Sequence, residues 1–309
     1  MTATPHVTPG RCAVIYNPIK VSDQFRTLVE DALPRYQYGS PLWLETSEDD
    51  PGSGMVRRAV AEQVDLVLGA GGDGTIRLIA DGLAGTGIPL GIVPAGTGNL
   101  LARNLQIPLD EPAAIEVALG ARTRLVDLIK LTVDDDAPVH FAVMAGVGVD
   151  AMIMNETDPN LKSKIGVGAY VVAAGKALGR LPLKVTIRVD GRRPFHRNAM
   201  LCLVGNVGDL QSGIRLIPDA EPDDGQLDIY VASPQRFTHW IKVVLRIITR
   251  RAQKDDQVDQ FKGKTVTIRI DEPEDFQLDG DVMGKGRVLT AEVVSGALVV
   301  RVPIDGPIK

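Results

Sequence analysis

The sequence is poor in several things, and each shortage narrows its class. Only two cysteines occur in 309 residues, Cys12 and Cys202, each beside apolar residues in strand-like runs. Two are too few for a disulfide framework or a zinc cluster, so a reduced, cytoplasmic setting is the expectation. A dominant charge is also lacking, because 34 basic and 39 acidic side chains leave a formal charge of -5. No global basic field exists to draw in nucleic acid or an anionic membrane, and no nucleic-acid partner is expected. No apolar run approaches the roughly 20 residues that span a bilayer, and the opening MTATPHVTPGR has no signal-peptide core. No transmembrane segment is expected. Internal repeats and low-complexity tracts are absent too.

What is present is the balance of a globular chain, 44% hydrophobic and 24% charged, long enough for two domains of ordinary size. Up to about residue 125, short apolar runs at 12–16, 41–44, 66–68 and 90–93 alternate with helix-like segments at 21–33, 55–63, 75–85 and 99–105. That alternation predicts a doubly wound α/β domain with a parallel-rich sheet. From residue 126 the pattern changes to β-branched alternation in LIKLTV, LKVTIRVDG, AMLCLVGN, LDIYVA and TVTIRI, which predicts a mainly antiparallel β domain over 126–295. Two helix-like inserts interrupt it, at 162–181 and 237–254.

The most informative stretch is VDLVLGAGGDGTIRLIADGLAG, an apolar strand running through Gly71, Gly72, Asp73, Gly74 and Thr75 into an amphipathic helix. Glycines let successive N–H groups approach phosphate oxygens, and the helix N-terminus adds partial positive charge. Asp73 cannot attract phosphate itself, so its expected task is to reach Mg²⁺ or a metal-bound water. The order is neither GxGxxG nor GxxxxGK[ST]. A second glycine loop follows the next strand in GIVPAGTGNLLARNL, where Pro94, Gly96 and Gly98 shape a turn, Thr97 offers a hydroxyl and Asn99 stands at a helix start. Two such loops on adjacent parallel strands converge at the carboxyl edge of the sheet, where ligands bind in these folds.

With Asn17 and Pro18 after the first strand, GGDGT, PAGTGN, Asp224-Gly225 and Asp279-Gly280, the chain resembles the diacylglycerol kinase catalytic family, in its soluble bacterial lipid kinase branch. GGDGT together with PAGTGN is highly specific, whereas GGDG alone also occurs in NAD kinases. The resemblance implies an ATP site between the domains, built from Asn17, Pro18, Thr46, the Gly71–Thr75 loop, Gly96, Thr97 and Asn99. It also implies that residues 296–309 return to the first domain.

Relatives carry a late DGE motif whose acid receives the hydroxyl proton. Here the order is Asp279, Gly280, Asp281, so the base is expected to be Asp281 or Asp279. A solvated Asp-Gly turn is the plain alternative. The segment PDAEPDDGQLDIYV resembles the family's second metal site, with Glu221 and Asp224 giving side-chain oxygens and Gln226 a backbone carbonyl to Mg²⁺. Relatives also place aspartates at the positions of Asp127 and Asp150.

Trp240, Ile241, Val244, Leu245 and Ile248 on helical spacing, with Lys242, Arg246, Arg250, Arg251 and Lys254 among them, suit either core packing or a membrane interface. The resulting expectation is an ATP- and Mg²⁺-dependent lipid kinase that reaches its lipid at the membrane surface by peripheral association. An NAD kinase-like enzyme and a non-catalytic nucleotide or lipid binder are the alternatives. The acceptor lipid and the oligomeric state stay open.

Overall fold

The computed structural model describes residues 9–148, 181–209, 217, 220–233 and 258–304. The inserts expected over 162–181 and 237–254, apart from Leu181, and Asp150 lie outside the described residues. The chain divides into two compact units, Met1–Val126 with Gly296–Lys309, and Asp127–Ser295.

In the first unit β1 (Cys12–Tyr16), β2 (Leu42–Glu45), β3 (Leu66–Gly71) and β4 (Leu90–Pro94) alternate with α1 (Phe25–Ala32), α2 (Ser53–Ala61) and α3 (Asp73–Leu83). A short α4 (Leu100–Asn104) and α5 (Glu111–Leu119) follow. β2, β1, β3 and β4 lie side by side and parallel. β1, β3 and β4 are buried at every position, as near-continuous apolar strands in a sheet covered on both faces should be. The sequence at 296–302 closes this sheet, with Val300 parallel to Leu90.

From β1 the chain moves outward to β2, whereas from β3 it moves the opposite way to β4. Right-handed crossovers therefore put α1 on one face and α2 with α3 on the other. The packing agrees, because α2 lies against α3, and α1 against α5. The reversal leaves a crevice between the carboxyl ends of β1 and β3, which is where ligands enter such sheets.

The helices start within a few residues of the expected positions, but α5 was not expected. Its signal was present in DEPAA, where the Asp110 carboxylate accepts from the Ala113 N–H at 3.1 Å and Pro112 sits in the first turn.

The second unit is built from β5 (Thr123–Val133), which begins in the first unit, then β6 (Val139–Phe141), β7 (Met144–Val147), β8 (Leu183–Val189), β9 (Phe195–Ala199) and β10 (Leu201–Gly205). β11 (Leu227–Ala232), β12 (Val258–Gly263), β13 (Thr265–Leu278) and β14 (Asp281–Arg301) complete it. The pairs along β12–β11–β10–β7–β13, the β5–β6, β8–β9 and β8–β13 pairs and the long β13–β14 hairpin are all antiparallel. Ile129, Phe141, Ile187, Ile229, Ile268 and Leu278 anchor its core.

Cys12 and Cys202 are buried free thiols on β1 and β10, and burial pushes both up to about 12. They are inert core residues. Among the described residues, no helix is long and apolar enough to cross a membrane.

Candidate functional site

Four loops meet at the carboxyl edge of the parallel sheet in the first unit, and backbone hydrogen bonds tie each to a neighbour. The Thr46 N–H donates to Tyr16 O, the Asn17 N–H to Ala70 O and the Ala95 N–H to Gly71 O, all at 2.9 Å. These bonds continue the parallel ladders one step past the strands. They fix Thr46, the Asn17-Pro18 turn, the GGDGT loop and the PAGTGN loop in one row.

The two glycine loops touch through backbone. A Cβ at Gly96 would lie 2.6 Å from the Gly72 Cα, and one at Gly72 would lie 3.5 Å from the Gly96 Cα. Any side chain at Gly96 would force the loops apart. Beneath them, Gly71 leaves room for the buried Thr75 side chain, whose Cβ is 2.8 Å from where a Gly71 Cβ would stand. Gly74 lies in the first turn of α3, Gly72 occupies its N-cap position, and Thr97 is exposed at the tip of the second loop.

Asp73 is engaged at the start of α4. Its Oδ2 accepts from the Asn99 N–H at 2.8 Å and its Oδ1 from the Leu100 N–H at 2.6 Å, so both oxygens hold the start of α4. The physical reason is that a helix start leaves N–H groups without intrahelical partners, and a carboxylate satisfies them well. Asn99 stands at the N-cap with left-handed backbone (φ 51°), yet makes no side-chain cap. Its amide closes its own turn instead: Oδ1 accepts from the Gly96 N–H at 2.9 Å, and Nδ2 donates to Gly96 O at 2.8 Å.

Lys20 was missed in the sequence. The Asn17 side chain makes an Asx turn by accepting from the Ile19 N–H at 3.0 Å, and Asn17 O accepts from the Lys20 N–H at 3.1 Å. This turn carries Lys20 back over the glycine loop, where its Nζ is 2.8 Å from the position of a Gly72 Cβ. The only advance signal was a lysine three residues after Asn17. Amide groups, a helix N-terminus and an ammonium together make a surface suited to phosphate oxygens.

In the second unit, Asp279 and Gly280 form the two-residue turn of the β13–β14 hairpin, with φ of 49° and 98° and Leu278 opposite Asp281. Positive φ at both central residues is what primed hairpin turns require, and Asp-Gly supplies it. Asp279 is buried, its Oδ1 accepts from the Met144 N–H at 2.8 Å, and its own N–H donates to Met144 O at 2.8 Å. Asp281 is the half-exposed member of the pair.

Asp127 is 2% exposed and ties down the acidic segment. Its Oδ2 accepts from the Gly225 N–H at 2.7 Å, its N–H donates to Pro222 O at 2.7 Å, and its carbonyl accepts from the Asn206 Nδ2 at 2.8 Å. Asn206, fully buried and also bonded to Ala142 O at 3.2 Å, is a second residue that sequence reading missed. Asp224, expected to hold Mg²⁺, accepts from the Gln226 N–H at 2.9 Å and from Lys262 Nζ at 2.8 Å. Burial pulls the Lys262 ammonium down, but its bond to Asp224 and the charges of Asp228 and Asp224 outweigh that and hold it above the usual lysine range. Glu221 and Gln226 lie beside Asp224 in the same segment, and among the described residues no group of three or more His, Cys, Asp or Glu side chains is arranged to hold a metal ion.

Fold and site together define an α/β domain with two glycine loops at the carboxyl edge of its parallel sheet, followed by an antiparallel β domain. Residues 11–131 match the diacylglycerol kinase catalytic domain, and residues 143–302 match the YegS C-terminal NAD kinase beta sandwich-like domain. A diacylglycerol kinase of Mycobacterium tuberculosis is 32% identical over 216 residues, 69% of this chain and 70% of that protein. One of Staphylococcus epidermidis is 27% identical over 281 residues, 89% of this chain and 87% of that protein. A solved diacylglycerol kinase structure from Bacillus anthracis shares the fold with a TM-score of 0.75 at 24% identity, covering 96% of this chain and 98% of that one. The chain belongs to the diacylglycerol kinase family.

The Asp73 clamp is directly testable. Asp73→Ala removes two charge-assisted hydrogen bonds and leaves two N–H groups uncapped, an expected loss of about 2–4 kcal/mol in urea unfolding. A variant as stable as the wild type would show that the clamp holds nothing.

Proposed function

We propose that this protein transfers the γ-phosphate of ATP to the hydroxyl of diacylglycerol or a closely related acylated alcohol. The observation that carries this reading is the pair of glycine loops locked at the carboxyl ends of β3 and β4, with the Lys20 ammonium over Gly72, in a chain of this family. Their N–H groups and the α3 N-terminus would receive the phosphates, Lys20 would offset their charge, and Asn17, Pro18, Thr46, Thr97 and Asn99 would border the nucleotide.

The donor set is amides and an ammonium, which fits a polyphosphate. Because Asp73 is committed to the start of α4, Mg²⁺ would be held chiefly by the phosphate oxygens of the nucleotide. When bound there, the ion supplies neutralisation of charge on the transferring group.

The acceptor oxygen forms a bond to the γ-phosphorus as the bond to the β,γ-bridging oxygen breaks, and ADP leaves. The hydroxyl proton needs a carboxylate. Asp281 is the better candidate, since Asp279 is buried in a turn and bonded to the Met144 amide, whereas Asp281 is half-exposed on β14. A glutamate stands at this position in relatives, and the shorter aspartate must approach its hydroxyl more closely. Because the acceptor is a membrane lipid, the reaction would take place at the bilayer surface.

Two measurements test the proposal. With γ-labelled ATP and mixed micelles containing diacylglycerol, label is expected in the organic-extractable product; label in NADP instead, or in no product, would overturn it. Asp281→Asn is expected to lower kcat by about 10²-fold to 10⁴-fold with ATP affinity nearly intact, because the amide keeps the shape but cannot take the proton. If only Asp279→Asn loses turnover, the base is Asp279; wild-type rates in both would return the segment to a plain turn.

A further inference from the structure

We propose that the Lys262 ammonium is the resident cation of the acidic segment 221–228, and that the protein holds this segment without the divalent metal expected from its family. The two strands that meet here are in a register that makes the pairing. β11 and β12 are antiparallel with Asp228 directly opposite Lys262, so the lysine stem runs across the strand pair toward the turn that precedes β11. Its Nζ lies 2.8 Å from Asp224 Oδ2 and 3.6 Å from Asp228 Oδ2.

The Asp224 and Asp228 side chains are only 18% and 7% exposed and that of Lys262 is 31% exposed, so the charges are partly shielded from water. In such surroundings a carboxylate pair without a cation would repel strongly, and a single ammonium answers both.

Three further groups of the segment are committed within the protein. Asp224 Oδ1 accepts from the Gln226 N–H, the Gly225 N–H donates to buried Asp127, and Pro222 O accepts from the Asp127 N–H. A hard divalent cation at Asp224 would need about six oxygens at 2.0–2.6 Å, and it would share its carboxylate with a positive charge already 2.8 Å from that oxygen. Lysine suits the place differently, since it offers three donors on a flexible stem and asks for no complete oxygen shell. The expected ligand set of Glu221, Asp224 and Gln226 therefore does not fit a metal here, because a side chain from the neighbouring strand supplies the charge.

This inference does not depend on the lipid kinase reading, and its test omits nucleotide and lipid so that the two fail separately. Thermal unfolding of the full chain is measured after EDTA treatment and again with Mg²⁺ or Ca²⁺ added. The wild-type Tm is expected to be the same in all three conditions. Lys262→Met is expected to unfold several degrees lower in EDTA and to recover part of that loss in Ca²⁺ or Mg²⁺, since its acidic segment has lost its counter-charge.

A wild-type Tm that falls in EDTA and returns with Mg²⁺ would overturn the proposal, as would a Lys262→Met variant with wild-type Tm in EDTA. Should Lys262→Met fail to fold, equilibrium dialysis of wild type against Mn²⁺ decides. No stoichiometric binding is expected, and one tightly held ion per chain would contradict the proposal.

Discussion

The loop edge of the first unit depends on one carboxylate. Asp73 stands at the start of α3 and accepts from the N–H groups of Asn99 and Leu100 at the start of α4, so the glycine loops after β3 and β4 are held by a single side chain. Without it the backbone contact of Gly72 with Gly96 would rest on the Ala95–Gly71 hydrogen bond alone among the interloop bonds described. Charge-assisted bonds to backbone amides are short and strong, and here they act between two loops that must keep their N–H groups aimed outward. Lys20 then completes the surface from the neighbouring strand end.

The same economy of carboxylates runs through the second unit. Asp127 fixes the segment at 222–225, Asp279 fixes the hairpin tip to Met144, and Asp224 takes Lys262. Acidic residues in these motifs are thus mostly used to hold backbone, and Asp281, half-exposed on β14, is the acid we propose for proton transfer. A hairpin turn that needs left-handed residues explains Asp279-Gly280, and the next residue inherits a fixed place on β14.

Much of this was legible in the sequence. The apolar runs at β1, β3 and β4 identified buried parallel strands because such strands carry no polar face, and the glycine spacing placed both loops at strand ends. What the sequence could not show was partner choice. An aspartate after a glycine pair looks the same whether it meets a metal or two amides 26 and 27 residues away. Likewise Lys262, 38 residues from Asp224, becomes its partner only through the β11–β12 register. Lys20 was illegible because its position over Gly72 depends on the Asn17 turn, and α5 was overlooked although its capping aspartate and proline were in plain view.

Contact between the two glycine loops is proposed to build the phosphate site, and Gly96→Ala isolates that contact. Gly96 does not have the positive φ that would make alanine strained, so the added methyl, 2.6 Å from the Gly72 Cα, acts by pressing the loops apart. Calorimetric titration with MgATP, on protein whose circular dichroism matches wild type, is the direct measurement. A loss of about tenfold or more in affinity, equivalent to roughly 1.4 kcal/mol, is the predicted result. Wild-type affinity in the folded variant would contradict the account.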